Sequence, residues 1–256
     1  MPGLRAAFLE RDPRAKARAT LALTGGAPEP GWPDRPGRPD APRLVTAREV
    51  AKRSPATPEG RIALLHALAH IELNAIDLAL DIVGRFDLGP QNAAFAADWL
   101  TVAREEAKHF LMLADRLEAL GSHYGALDAH DGLWQTALAS RADLVDRLAI
   151  APLTHEARGL DVTPAMIAKL KSAGDGASAA ILQVIYRDEI GHVATGYRWF
   201  EAACHVRGLD PESAFQASLT QIGLARPHPP FNEAARRQAG LTPPFDITFA
   251  AAAPAA

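Results

Sequence analysis

Two stretches decide how this chain is read: "REEAKH" at residues 104–109 and "RDEIGH" at 187–192. Both spell Arg, acid, Glu, two further residues, His. On a helix, positions i and i+3 lie one turn apart on one face, so each pair aims a carboxylate and an imidazole in the same direction. At 100° per residue, Glu106 shares its face with Phe95, Trp99, Val102, Phe110, Leu113 and Leu117. Glu189 shares its face with Leu182, Ile185, Val193 and Phe200. A solvated helix face would not carry such stripes, so both Glu-x-x-His pairs are expected to point into a core.

Two more glutamates behave the same way. Leu65, Leu68, Ala69, Ala75, Ile76 and Ala79 surround Glu72, and Leu138, Ala142, Val145 and Ala149 share the face of Glu156, with Pro152 disturbing the phase there. An ionised carboxylate buried without a partner costs several kcal/mol. Four of them would consume the roughly 5–15 kcal/mol by which a domain is stable. Arg104 and Arg187 are too few to balance them and sit about 160° away from the Glu faces. A pair of divalent metal ions would suffice. The ligand order is Glu72, Glu106 with His109, Glu156, Glu189 with His192: four carboxylates and two imidazoles from four helices. This mixed oxygen and nitrogen set suits two iron ions, with manganese as the alternative. Glu106 and Glu189 are the expected bridges, and Glu72 and Glu156 the terminal carboxylates. Metal-bound His usually gives its other N–H to an acceptor. Glu105 is expected to serve His192, and Asp188 to serve His109, with Arg104 and Arg187 balancing the two acids. The competing reading of these four residues is ordinary surface ion pairs.

The rest of the chain arranges itself around these segments. Residues 27–43, "APEPGWPDRPGRPDAPR", are too rich in Pro and Gly for a helix or a central strand and read as an extended strap. Before it, 3–22 has the pattern of one short amphipathic helix. Thr57-Pro58 marks a helix start. Long helices are expected over about 58–83, 91–120, 133–160 with a kink at Pro152, and 177–206, with a shorter helix starting at Pro164 behind a Thr163 cap. No region carries hairpin signals. The fold expected is all-α: a four-helix bundle at 58–208, an arm and strap at 1–57, and a C-terminal extension at 209–256 with short helices and a fraying "AAAPAA" tail. A polar row on the first long helix, His66, His70, Asn74, Asp77 and Asp81, lies away from Glu72. It is expected to face solvent or the strap, a second site or proton path being the sharper alternative. His123, Tyr124, His130 and Trp134 are expected to pack a helix connection onto the body or to rim a pocket.

Composition limits the partners. The net charge is −3, but residues 1–53 carry 11 Lys and Arg against 6 Asp and Glu, leaving the remainder with 16 against 24. The basic arm favours an anionic partner such as nucleic acid only weakly, and the acidic body argues against one. The single cysteine, Cys204, excludes an intramolecular disulfide and fits a reducing cytoplasm. No uncharged apolar run reaches the roughly 20 residues that span a bilayer, and the N-terminus makes a poor signal peptide. The oligomeric state is left open, a homodimer being one option.

The six-ligand order resembles that of the ferritin-like superfamily of carboxylate-bridged dimetal proteins over about 58–206. More of the chain resembles an uncharacterised bacterial family of ferritin-like proteins of unknown function. The stretches concerned are "PGRPDAP" (36–42), "HALAHIELNAIDLALD" (66–81), "REEAKHF" (104–110), "LGSHYGALDAHDGLW" (120–134), "THEARGLDVTP" (154–164), "RDEIGHV" (187–193) and "FNEAARRQAGL" (231–241). That family is similar in turn to a tRNA-modifying diiron hydroxylase. The resemblance implies a dimetal site at the six residues above and supplies no substrate. Three functions compete: a hydroxylase-like oxidoreductase activating O2 on two irons, a ferroxidase or iron-handling protein, and a non-catalytic interaction protein stabilised by its metal.

Overall fold

A computed structural model describes residues 3–50 and 54–241. It is all-α apart from one two-residue strand pair. The helices are α1 (Leu4–Leu9), α2 (Pro13–Leu21), α3 (Pro58–Arg85), α4 (Asn92–Ala119), α5 (Gly132–Ala139), α6 (Leu144–Ile150), α7 (Ala157–Ser172), α8 (Gly176–Val206), α9 (Pro211–Ile222) and α10 (Glu233–Gln238). A π-helical segment, Ala151–Glu156, joins α6 to α7. Strands β1 (Leu44–Val45) and β2 (Ala129–His130) pair in parallel. The chain forms two compact units, Met1–Leu138 with Ile167–Ile181, and Ala139–Met166 with Leu182–Ala256. The arm belongs with α3 and α4 in the first unit. The "AAAPAA" tail lies outside the described residues.

In the first unit α3 and α4, 28 residues each, pack along one another. Thr57 caps α3 by accepting from Gly60 N at 3.0 Å, with Pro58 in the first turn, as its sequence predicts. The arm is not one helix. Asp12 accepts from Ala15 N at 2.7 Å and Pro13 opens α2, so the Asp-Pro pair restarts the helix after Leu9.

The polar row of α3 faces the arm, the strap and the connection after α4, and not solvent. His66, His70, Asn74, Asp77 and Asp81 are all buried. Buried Lys16 reaches across from α2 to donate to Phe8 O (3.0 Å), to Gly37 O (2.9 Å) and to the Asp77 carboxylate. Arg38 donates to Asn74 Oδ1 at 2.7 Å and places Nη1 3.3 Å from Asp77 Oδ2. Trp32 Nε1 donates to Asp81 Oδ1 at 2.9 Å. The Trp32 ring lies against Gly84, where any Cβ would come within 2.4 Å of it. His70 Nε2 is 3.2 Å from His130 O, which can only accept. That fixes the tautomer, so Nδ1 accepts from Tyr124 OH at 2.8 Å. His66 Nε2 accepts from Gly125 N at 2.9 Å. Burial lowers both imidazoles to about 4, which keeps them neutral. All five residues are thus engaged by the protein itself. Tyr124 and Trp134 pack the connection after α4, as expected, with Trp134 Nε1 on Asp34 O at 3.1 Å.

The arm's remaining cations also find carboxylates. Arg14 bridges to Asp115 and Glu118, Arg35 to Asp131, and Arg43 to Asp128, while Arg5 and Arg11 hold Glu29 and Asp40 within the arm. The basic arm therefore discharges much of its excess onto acids of the same chain. The helix α3 is long and apolar enough to cross a membrane by composition, but 61% of its most apolar window is buried inside the protein.

The expected helix over 133–160 is divided among α5, α6, the π-helical segment and the start of α7. Asp143 accepts from Val145 N (2.8 Å) and Asp146 N (3.4 Å), capping α6 and breaking the helix after α5. Pro152 falls in the π-helical segment, and Gly196 of α8 makes room for it: a Cβ there would sit 2.1 Å from Pro152 Cβ. The start expected at Pro164 is also corrected, because α7 runs through it. Proline denies Leu160 O its helical donor, and Asn232 Nδ2 supplies one at 3.1 Å. Thr163 turns its hydroxyl back to Gly159 O at 2.8 Å and caps nothing. The "FNEAARRQAG" stretch docks through Arg236, which forks onto both oxygens of buried Asp161 at 2.9 and 2.8 Å. On α9, Ser218 and Gln221 donate to Asp146 of α6.

Candidate metal centre

Glu72 comes from the middle of α3, and Glu106 and His109 from one turn of α4. The apolar stripes place them: Leu65, Ala69, Ile76 and Ala79 on α3, and Phe95, Trp99, Val102, Phe110, Leu113 and Leu117 on α4, are all buried. His109 Nδ1 lies 3.2 Å from Glu72 Oε2 and 3.4 Å from Glu106 Oε2. One ligand atom from each of the three lies within 4.8 Å of the others. Glu72 is 3% exposed, and Glu106 and His109 are fully buried.

Such a cluster does not sit comfortably without a cation. Burial first, and then the Glu106 charge, push the Glu72 carboxyl well above the ordinary range, with His109 pulling it back. Burial would push His109 down, but its hydrogen bonds to Glu106 and Glu72 and their charges carry it up to about 11. In metal-free protein Glu72 and His109 therefore hold protons that a divalent ion would displace. Two carboxylate oxygens and one imidazole nitrogen, converging in a dry interior, fit a divalent metal ion.

In the second unit, Glu189 and His192 occupy one turn of α8, with His192 Nδ1 3.6 Å from Glu189 Oε2. Their stripe is buried as expected at Leu182, Ile185, Val193 and Phe200. Glu156 ends the π-helical segment and is half-buried. The phase drawn for it does not survive the break before α6, since Ala142 is exposed and Leu138 only half-buried. Its neighbour His155 is kept neutral by burial, which lowers it to about 4.

The residues written beside the ligands are placed differently from one another. Arg104 donates through Nε and Nη2 to Leu23 O at 3.1 and 3.0 Å, tying α4 to the end of α2. Arg187 donates to Gln183 O one turn back at 3.2 Å. Both guanidinium groups thus hold backbone carbonyls. Glu105 and Asp188 are half-buried. Sequence reasoning missed the partners that fix α3 from behind, Lys16, Arg38 and Trp32. The signal was the polar row itself, since buried carboxylates require cations or donors somewhere in the chain.

A family model described as "Protein of unknown function (DUF455)" matches residues 7–245. An uncharacterized protein of Haemophilus influenzae (strain ATCC 51907 / DSM 11121 / KW20 / Rd) is 45% identical over 209 residues, which cover 80% of this chain and 73% of that protein. No solved structure matches the chain.

Proposed function

The chain belongs to the DUF455 family, proteins of unknown function, and from that premise we propose that it is a dinuclear non-haem metal protein of the ferritin-like kind, acting as an O2-dependent, hydroxylase-like oxidoreductase. Glu72, Glu106, His109, Glu156, Glu189 and His192 would hold the metals, two irons by preference and manganese as the alternative. The observation that carries the reading is the buried convergence of Glu72, Glu106 and His109 from two packed helices. The bound metals would supply redox and Lewis-acid chemistry. The chain's own part is to fix the ligands on helices, to exclude water, and to offer the His109 Nδ1 face, leaving Nε2 for an outer acceptor. Asp188 is proposed as that acceptor, and Glu105 as its counterpart for His192. The pairing of the arm's arginines within the chain supports a substrate other than nucleic acid.

Anaerobic Fe(II) loading followed by O2, watched by absorption and Mössbauer spectroscopy, tests this. The expected result is two irons per chain oxidised together by O2. Many irons per chain would move the protein to iron handling. Iron that ignores O2 would make the site structural, and no stoichiometric uptake would end the metal reading.

A further inference from the structure

One side chain of the C-terminal segment ties α7 to α8. Asn232 spends its whole amide. Its Nδ2 donates to Leu160 O at 3.1 Å and to the Tyr186 hydroxyl at 2.8 Å, and its Oδ1 accepts from Ala235 N at 3.2 Å, capping α10. The amide stands only this way round, because Leu160 O can only accept. Leu160 lies one turn beyond Glu156, and Tyr186 one turn before Glu189. Glu189 in turn belongs with Glu72, Glu106 and His109 to one group of donors that could hold an ion.

The segment does not need this amide to stay docked. Asn232 N donates to Asp161 Oδ1 at 2.9 Å, and Arg236 forks onto the same carboxylate, the two side chains being 3% (Arg236) and 0% (Asp161) exposed. The Arg236 guanidinium lies 4.8 Å over the Phe231 ring. Arg158 Nη1 donates to His228 O and Pro230 O, both at 3.0 Å. Nor does the cap need an amide, since Ser or Asp caps a helix about as well as Asn. What only the amide does is bridge. Pro164 creates the demand, because it has no N–H for Leu160 O. The donor that meets it comes from outside α7 and reaches α8 with its second hydrogen. Binding side chains have to stand within about 0.5 Å of their working geometry, so the elements that carry them need outer support. We propose that Asn232 is a positioning residue of the metal centre. Its amide brackets α7 to α8 and so sets the spacing of Glu156 and Glu189, acting through Leu160 and Tyr186. The proposal rests on the metal reading of those two glutamates.

The test is an anaerobic titration of the metal-free full-length chain with Co(II), followed by visible absorption below the melting transition of every variant. Melting of each metal-free variant is measured beside it. N232S keeps a cap for α10 and loses the bridge. It should weaken Co(II) binding about 10-fold, the low end of what disturbing an outer partner costs, and shift the ligand-field bands of the ion that binds. Y186F removes only the hydroxyl. It should weaken binding in the same direction with little change in metal-free Tm, and it carries the test alone if N232S does not fold. P164A/N232S gives Leu160 O a helical N–H again but leaves α8 untied. Its metal-free Tm should recover while its affinity stays low. Unchanged affinity in Y186F would overturn the proposal, whether or not N232S binds more weakly, because the tie to α8 would then be idle. Affinity that recovers together with Tm in P164A/N232S would also overturn it, since Asn232 would then only mend α7. A wild type that takes up no Co(II) would defeat the metal reading itself, and the proposal with it.

Discussion

Lys16→Met isolates the buried contact that holds the arm to α3. Lys16 is 1% exposed and its Nζ donates to two carbonyls as well as to Asp77, which is fully buried. Methionine fills much of the stem's space and removes the charge. Asp77 would keep only the Arg38 guanidinium, 3.3 Å from its other oxygen. Removing one partner of a buried ion pair costs about 3–5 kcal/mol, and each carbonyl left without a donor adds about 1 kcal/mol or more. Asp77 can limit the loss by taking a proton. Burial already pushes its carboxyl up, with the Lys16 charge pulling it back, so deleting Lys16 raises it further. A folded pKa above the unfolded one means that the folded state binds more protons between the two values. Stability then falls as pH rises through that window. The penalty should therefore be about 5–7 kcal/mol at pH 8, a fall of roughly 10–28 °C in Tm, and smaller at pH 5. Thermal melts by circular dichroism at both pH values measure it. The double variant K16M/D77N should recover most of the loss, because the fully buried carboxylate is then gone and Arg38, with its side chain 22% exposed, keeps its bond to Asn74. A cost under about 1 kcal/mol, or one that grows as pH falls, would refute the reasoning.

Mn(II) or Fe(II) should raise the melting temperature of the wild type, and Glu106→Ala should abolish that rise; a variant still stabilised by metal would count against Glu106 as a ligand. Metal uptake at pH 7 should release protons, since Glu72 and His109 hold them above their ordinary ranges without metal, and affinity should fall as pH falls; an uptake with no acid release in a pH-stat would contradict this. Asp188→Ala should weaken metal affinity about 10–100-fold, and unchanged affinity would remove its proposed role. Gly84→Ala should drive the Trp32 ring from its seat and break its bond to Asp81, costing about 1–3 kcal/mol, to be seen as a lower Tm and shifted tryptophan emission.

The helices and the ligand face were legible because burial and helical phase write themselves into the sequence together. Glu72, Glu106 and His109 could be placed on a common core face from their apolar neighbours alone, and α3, α4 and α8 end within about two residues of their capping signals. Where local chemistry competed with periodicity, periodicity misled. Asp143 and Asp12 restart helices that the apolar pattern ran through. Pro164 went the other way: its local signal said that a new helix starts there, and a side chain 68 residues on, Asn232, satisfies the orphaned carbonyl so that the one helix runs through. The dock of the arm on the polar row of α3 was half legible, because the row names a demand for partners but not their identity.

The helix α3 serves two masters on opposite sides. Glu72 faces one way, and His66, His70, Asn74, Asp77 and Asp81 lie about 120–200° around the helix from it, the last three gripped by the arm and strap and the two histidines by the connection after α4. A single residue inserted or deleted between Glu72 and Asp77 would turn one side by 100° against the other. No side-chain adjustment restores both. Insertions and deletions in this family should therefore be absent from the core of α3 and gather in connections such as the one between Val45 and Pro58. The same logic makes the arm part of the scaffold's indexing: trimming it would leave α3 free to rotate about its own axis, and the ligand it carries would lose its bearing.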